Sequence, residues 1–174
     1  AAGTVVEDEL AGVIEGADAF DIPRLWHAMV ARVRNLGWRG VCACAISAVD
    51  TALWDLKAKL LDAPLARLLG QARDEVPVYG SGGFTSYPDA RLVRQLAGWV
   101  EDDGCRAVKM KVGRPLAGNM ERVRRARAAI GDTALFVDAN GAFTRKEALA
   151  FARDCAALLG TWLEEPVSSD DLEG

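Results

Sequence analysis

The chain has 174 residues, with 21 Lys or Arg against 25 Asp or Glu, so its formal net charge is −4. Apolar types make up 51% of the residues, which is typical of a globular protein and excludes disordered, collagen-like and disulfide-scaffold classes. The acidic balance argues against nucleic-acid or anionic-membrane partners, and no apolar run is long enough to span a bilayer. We therefore expect a cytoplasmic protein with neither kind of partner.

The cysteines and the single histidine form no recognisable catalytic or zinc-binding pattern. Cys42 and Cys44 lie two residues apart, and no second pair stands at zinc-ligand spacing. We expect each cysteine to be a small buried apolar side chain. We expect His27 to have a structural role.

Residues 1–72 are predicted to be helical. Asp21 and Pro23 mark the start of a helix. Apolar residues then recur at helical spacing, at Leu25, Met29, Val33 and Leu36. A second helix is predicted over residues 45–61, with one continuous apolar stripe formed by Ile46, Val49, Leu53, Leu56 and Leu60.

From about residue 74 the pattern changes to strands that alternate with single helices. Strands are predicted at residues 76–79, 107–112, 134–138 and 161–164. Helices are predicted at residues 88–103 and 119–130, and a third opens at a capping-box pattern formed by Thr144 and Glu147. The inner face of that third helix is predicted to carry Ala148, Phe151, Ala152, Cys155 and Leu159. This alternation is typical of a parallel sheet with right-handed crossovers.

Two further features of this second region give only weak indications of function. A loop rich in Gly and Ser at residues 81–87 lacks the spacings of phosphate-binding loops. Because it follows the first predicted strand, we expect it to face a substrate. Four arginines lie close together on the helix predicted at 119–130, where a solvated outer face is the expected role: Arg122, Arg124, Arg125 and Arg127.

Charged side chains stand where three successive apolar strands end. Lys109 and Lys111 lie on the second strand, Asp138 follows Lys111 by 27 residues, and Glu164 follows Asp138 by 26. Because the carboxyl ends of parallel strands meet at one edge of a sheet, these groups should lie together, at the edge where α/β proteins build their sites.

The residue types at this edge fit one chemistry. Two lysines two residues apart on a strand point to the same side, and their repulsion and burial should lower the pKa of at least one towards that of a general base. Asp138 and Glu164 supply the oxygen ligands that Mg²⁺ prefers. The alternative is that both carboxylates form salt bridges with the lysines and bind no metal.

Three motifs, taken together, resemble the enolase superfamily, and within it the mandelate racemase/muconate lactonizing enzyme branch. They are Lys109-Met110-Lys111, Val137-Asp138-Ala139-Asn140 and Glu164-Glu165-Pro166. The segment AISAVDTALWDLKAK is similar to the one that precedes the barrel in that branch. The likeness extends from about residue 20 to the end of the chain.

The resemblance implies an α/β, enolase-like fold. Residues 1–72 would be the C-terminal helical part of an α+β capping domain, and residues 73–174 the first four strands of a (β/α) TIM-type barrel. The chain would then be the middle of an enzyme about twice as long, because a full barrel has eight strands. A homo-oligomer is expected for the full enzyme by resemblance alone.

The resemblance also implies roles for five residues. Lys111 would be the acid/base, and Lys109 would lie beside it, set its pKa and hold the substrate carboxylate. Asp138 and Glu164 would be Mg²⁺ ligands, and Asn140 would contact substrate. The implied reaction is Mg²⁺-assisted abstraction of the proton α to a carboxylate through a stabilised enediolate, the mechanism that is general for this superfamily. The third carboxylate ligand and the acid/base on the opposite face would lie outside this sequence.

Two interpretations of other classes stay open at this stage. The chain could be a catalytically incompetent half-barrel that self-associates or needs a complementing half, since it would expose sheet edges and apolar strand faces. It could also be an unrelated α/β binding module whose strand-end charges are salt bridges. The enzyme interpretation predicts a small carboxylate substrate, either a hydroxy acid or an acid sugar, and a racemase, epimerase or dehydratase reaction.

Overall fold

A computed structural model describes residues 1–158 and 160–173. The chain divides into two compact units, Ala1–Glu75 and Val76–Gly174. Among the described residues, no helix is both long and apolar enough to cross a bilayer.

The first unit is helical, as predicted. Its elements are α1 (Ala2–Val5), a π-helical segment (Val6–Leu10), α2 (Ala11–Ile14), α3 (Ile22–Arg32), α4 (Val41–Leu60) and α5 (Leu65–Leu68). Asp21 directly precedes α3 and Pro23 lies in its first turn, where its missing N–H would have no helical partner. The core of the unit consists of Leu10, Met29, Val33, Cys42, Ala45, Ile46 and Val49.

Three of the apolar positions predicted for these helices were wrong. Leu36 is 58% exposed, because α3 already ends at Arg32 and the helical period no longer applies. Leu56 and Leu60 are also exposed. The buried cluster of this unit contains α4 residues up to Val49, with Leu53 partly buried against it, and Leu56 and Leu60 lie outside that cluster although Ala58 between them is buried.

Burial was predicted for every cysteine; it is found at Cys42 and Cys155, in part at Cys105, and not at Cys44. Cys44 lies two residues after Cys42 on α4, which turns it away from the core-facing positions. Burial raises the pKa of the Cys155 thiol to about 11, so this thiol is inert at neutral pH. His27 packs edge-on against Trp26 at a ring distance of 5.1 Å.

The second unit is a parallel four-stranded sheet with intervening helices, which confirms the predicted α/β class. Its elements are β1 (Gly80–Ser81), α6 (Asp89–Glu101), β2 (Ala107–Lys111), α7 (Asn119–Ile130), β3 (Ala134–Asp138), α8 (Arg145–Ala156) and β4 (Gly160–Glu164). The strands lie in the order β1-β2-β3-β4, and every pairing is parallel. This sequential order is that of the first half of a (β/α) barrel.

The two faces of the sheet carry different residues. Val108, Met110, Leu135 and Val137 are fully or almost fully buried in the core that the strands form with the helices. Side chains alternate along a strand, so the residues between them point to the other face. That second face carries both lysines of β2 and is called the site face below.

The first strand begins later than predicted. Residues 76–79 lie outside any strand, and pairing starts with Gly80 opposite Val108. Because β2 begins at Ala107, residues 76–78 have no β2 residue opposite them, and Pro77 has no N–H to donate. Beyond β1, Gly82 N–H donates to the Lys109 carbonyl and Gly83 accepts from Lys111 N–H, so the glycine loop stays attached to the strand of the two lysines.

The arginine run on α7 is only partly the predicted solvated face. Arg124 and Arg125 are exposed, but Arg122 donates to the carbonyls of Phe84 and Tyr87 and to Asp89. Among the described residues, Arg127 donates to three carbonyls, one of them that of Leu158 at 2.9 Å. Arg122 thus ties α7 to the loop after β1, and the spacing of charges along one helix could not indicate this role.

The last helix agrees with its prediction. The capping box of Thr144 and Glu147 is present, with each side chain bonded to the other's backbone N–H. Three predicted inner-face residues are buried and Ala152 is half-buried. The remaining one, Leu159, lies outside the described residues.

We expect Gly83→Ala to lower the free energy of unfolding by about 2–4 kcal/mol, from left-handed backbone strain and overpacking. Gly83 has φ +57°, and an added Cβ would lie within 2.9 Å of Leu92 Cδ1 and of the Met110 backbone. Urea denaturation measures the loss. Gly104→Ala is the matched control, because φ is +67° there but nothing lies within 4 Å of the added atom. Equal losses at both positions would contradict the overpacking.

Candidate active site

Lys109 and Lys111 meet the two predicted carboxylates on the site face. The sheet register places Lys111 opposite Asp138 and Asp138 opposite Glu164. Lys109 Nζ lies 2.7 Å from Glu164 Oε2 and 3.7 Å from Asp138 Oδ2. Lys111 Nζ lies 2.8 Å from Asp138 Oδ2. Four charged groups from three strands therefore form one network.

Asp138 is the most buried member of this network, with 2% of its surface exposed. Burial alone would raise the pKa of its carboxyl. The hydrogen bonds from Lys111 Nζ and from the Asn140 N–H, together with the charges of both lysines, outweigh that effect, so the pKa is lowered. Asp138 is thus an ionised, oriented carboxylate at neutral pH.

The expected lowering of a lysine pKa is not found at Lys109. Burial lowers the pKa of this side chain, which is 7% exposed, but its hydrogen bond to Glu164 and the neighbouring Tyr79 act more strongly, so the pKa is raised. The prediction rested on repulsion between the lysines and on burial, and it left out the carboxylate of Glu164 that lies 2.7 Å from Lys109 Nζ. Lys109 is therefore a fixed positive charge here.

Asn140 joins the same network through both ends of its side-chain amide. Its Oδ1 accepts from Lys111 Nζ at 2.7 Å, and its Nδ2 donates to Glu165 Oε2 at 3.0 Å. Glu165 was not among the residues predicted to act at the site, although it belongs to the quoted motif with Glu164 and Pro166. The one indication of its role in the sequence is that it directly follows Glu164, a proposed metal ligand.

Tyr79 is a second residue that the sequence did not point to. Lys109 Nζ lies 5.4 Å from the centre of the Tyr79 ring, and the same ring packs edge-on against Phe136 at 5.2 Å. Tyr79 was predicted to be a strand residue, and nothing in the local pattern indicated that it covers a lysine of β2.

The loops after β3 and β4 are held together by their backbones. Ala139 N–H donates to the Glu164 carbonyl at 3.0 Å, and Gly141 N–H to the Glu165 carbonyl at 2.7 Å. A polar cavity of about 160 Å³ opens between these loops, lined by Asn140, Gly141, Glu165, Val167, Ser168 and Ser169. A small polar group can therefore reach Asn140 and Glu165 from this side.

The donor set fits a hard divalent cation that keeps several waters. Asp138 and Glu164 are carboxylates in register on neighbouring strands, and Mg²⁺ is commonly bound by one or two protein carboxylates with water or substrate completing the shell. Within residues 1–158 and 160–173, no group of three His, Cys, Asp or Glu could hold a metal ion. Asp138 and Glu164 also form ion pairs with the two lysines, as the salt-bridge interpretation predicts. A measurement of metal binding therefore distinguishes a metal site from a set of salt bridges.

Two family models match the chain. Residues 2–70 match the mandelate racemase/muconate lactonizing enzyme N-terminal domain, and residues 91–174 match the enolase C-terminal domain-like family. The boundary between the compact units, at Glu75 and Val76, falls between the two matched segments.

Among the curated relatives that match this chain are a cycloisomerase and a dehydratase. A 3,6-anhydro-α-L-galactonate cycloisomerase of Streptomyces coelicolor is 42% identical over the whole chain, which covers 48% of that relative. An L-talarate/galactarate dehydratase of Salmonella typhimurium is 36% identical over 95% of the chain, which covers 42% of that relative. The chain thus spans about half the length of the curated relatives it matches.

Solved structures have the same fold over 98–99% of this chain. A mandelate racemase/muconate lactonizing enzyme-like protein from Rubrobacter xylanophilus has a TM-score of 0.90 at 57% identity over 99% of this chain and 48% of its own. A racemase from Streptomyces coelicolor with bound magnesium has a TM-score of 0.87 at 42% identity over 98% of this chain and 48% of its own. The chain belongs to the enolase superfamily, in its mandelate racemase/muconate lactonizing enzyme branch.

Proposed function

We propose that the protein containing this chain abstracts the proton α to a carboxylate of a hydroxy acid or acid sugar, with the help of Mg²⁺. The observation that carries the proposal is the meeting of Lys109, Lys111, Asp138 and Glu164 on one face of the sheet, with nitrogen–oxygen distances of 2.7–3.7 Å. The magnesium bound in a solved relative, which is 42% identical to this chain over the aligned part, supports the choice of metal.

Each residue has a distinct part in this proposal. Asp138 and Glu164 hold Mg²⁺, which when bound supplies positive charge next to the substrate carboxylate and so favours the extra negative charge gained on deprotonation. Lys109 is a fixed cation that attracts the same carboxylate. Asn140 contacts the substrate, and Lys111 accepts the α-proton.

The hydrogen bonds of Lys111 orient its nitrogen and leave one direction free for the lone pair of the neutral amine. Its Nζ has two acceptors, Asp138 Oδ2 at 2.8 Å and Asn140 Oδ1 at 2.7 Å. A neutral amine has two N–H groups and one lone pair, so both hydrogen bonds persist after deprotonation. The lone pair then points in a third direction, where it can take a proton from a bound substrate.

The domain organisation forms part of the same proposal. Residues 1–72 are the helical part of a capping domain, and residues 73–174 carry the first four strands of the barrel. The matches of separate family models to residues 2–70 and 91–174 support this division. A homo-oligomeric state and a cytoplasmic location complete the proposed assignment.

Exchange of the α-proton in D₂O tests the function. The full-length protein is incubated with Mg²⁺ and a panel of acid sugars and 2-hydroxy acids, and proton NMR follows loss of the α-proton signal and formation of product. We expect exchange or turnover of at least one compound, and its loss on addition of EDTA. An acid sugar that loses water identifies a dehydratase, and one that only inverts its configuration identifies a racemase or epimerase. Exchange that persists in EDTA would contradict the proposal.

A further inference from the structure

We infer that Glu165 is a positioning residue that sets the orientation of the Asn140 side-chain amide and thereby keeps the lone pair of Lys111 available. The consequence for Lys111 rests on the proposed function, whereas the orientation of Asn140 does not. Glu165 lies on the far side of Asn140 from Lys111, and it acts through that amide.

The two ends of the Asn140 side-chain amide have different partners. Asn140 Nδ2 donates to Glu165 Oε2 at 3.0 Å, while Oδ1 accepts from Lys111 Nζ at 2.7 Å. An ionised carboxylate only accepts hydrogen bonds, whereas an asparagine amide has one accepting and one donating end. Glu165 therefore selects the orientation in which Nδ2 faces it and Oδ1 faces Lys111.

The reversed orientation would oppose the chemistry proposed for Lys111. Rotation of the Asn140 amide by half a turn would place its NH₂ group against Lys111 Nζ. An ammonium and an NH₂ group are both donors, and a neutral lysine could then pair with Asn140 only by accepting through its lone pair. That lone pair is the one that takes the α-proton, so the reversed amide would block the base.

Backbone contacts hold this arrangement independently of the Glu165 carboxylate. The Glu165 carbonyl accepts from Gly141 N–H at 2.7 Å, and the Pro166 carbonyl accepts from Phe143 N–H at 3.1 Å. Asn140 and Glu165 both have φ +44°, a conformation that is uncommon for residues other than glycine and that the paired loops impose. Removal of the carboxylate should thus leave the loops in place and free the amide to turn.

The orientation can be measured in metal-free protein. The full-length protein is labelled with ¹⁵N-asparagine, and the side-chain amide signal of Asn140 is assigned by its loss in Asn140→Asp. We expect Glu165→Ala to shift one amide proton of Asn140 upfield, because its carboxylate acceptor is lost. Glu165→Gln keeps an acceptor and should retain most of the parent shift, and the exposed Glu101→Ala should leave the signal unchanged. An unchanged signal in Glu165→Ala would overturn the inference.

The effect on Lys111 is measured by a double-mutant cycle on α-proton exchange. We expect Glu165→Ala to lower kcat by about tenfold with a smaller change in KM, and to have less than about a twofold effect in an Asn140→Ala background, because coupled residues are not additive. Glu165→Gln should restore most of the rate. Equal effects of Glu165→Ala in both backgrounds would overturn the action through Asn140.

The two measurements separate this inference from the proposed function. A parent protein that exchanges no α-proton would contradict the proposed function, and the amide signal of Asn140 would still decide its orientation. An active parent whose exchange rate does not respond to Glu165→Ala, despite a shifted amide signal, would overturn the effect on Lys111 alone.

Discussion

Lys111→Ala should lower the rate of α-proton exchange by roughly 10²–10⁴-fold, the usual contribution of a positioned general base. The side chain lies within 2.8 Å of Asp138 and 2.7 Å of Asn140, so its nitrogen is held where the proposed ligands meet. The measurement is loss of the α-proton signal in D₂O, with the full-length protein, Mg²⁺ and its best substrate.

The control for this substitution is another lysine of the same unit. Lys146 is exposed at the start of α8, and Lys146→Ala should leave the exchange rate unchanged. Circular dichroism and thermal denaturation establish that the Lys111 variant is folded. An unchanged exchange rate in a folded Lys111→Ala protein would remove Lys111 from its proposed role.

Asp138→Asn should weaken Mg²⁺ binding by more than about 100-fold, because even residues that only support metal ligands cost 10–100-fold when they are replaced. The substitution removes a negative charge that is 2% exposed and already paired with Lys111 and the Asn140 N–H. The amide keeps the shape and one acceptor, so the effect reports mainly on charge. Isothermal titration calorimetry measures the affinity.

Calorimetry also separates a metal site from a set of salt bridges. Asp103→Asn alters an exposed carboxylate just beyond α6 and should leave the Mg²⁺ affinity unchanged. Parent protein that gives no heat of binding would favour the salt-bridge interpretation of Asp138 and Glu164. Equal affinities of parent and Asp138→Asn would place the metal elsewhere.

The residues of the candidate site could be predicted from the sequence because of the regular repeat of the sheet. Each strand–helix unit returns the chain to the same edge, so residues 27 and 26 positions apart came to lie in register at Lys111, Asp138 and Glu164. Period-two alternation predicted that Lys109 and Lys111 share a face. The length of the strand–helix repeat and the alternation along a strand can both be measured on the sequence without knowledge of the fold.

Partners from other elements could not be predicted in the same way. The spacing of the four arginines predicts that Arg122 lies on a solvated face, yet it donates to the loop after β1. The start of β1 was misplaced because residues 76–79 have an apolar strand pattern, whereas pairing depends on where β2 begins. The exposure of Leu36, Leu56 and Leu60 likewise depends on which turns of the helices face the core.

The sequence by itself determined the alternation of strands and helices, the parallel sheet, the family and the charged groups at the strand ends. It could do so because period and spacing are properties of the chain. Only the tertiary structure decided the pairing of Lys109 with Glu164, the contact of Tyr79 with Lys109, and the bond between Asn140 and Glu165. The pKa of Lys109 and the orientation of the Asn140 amide depend on which side chains face each other in space, and that follows from packing.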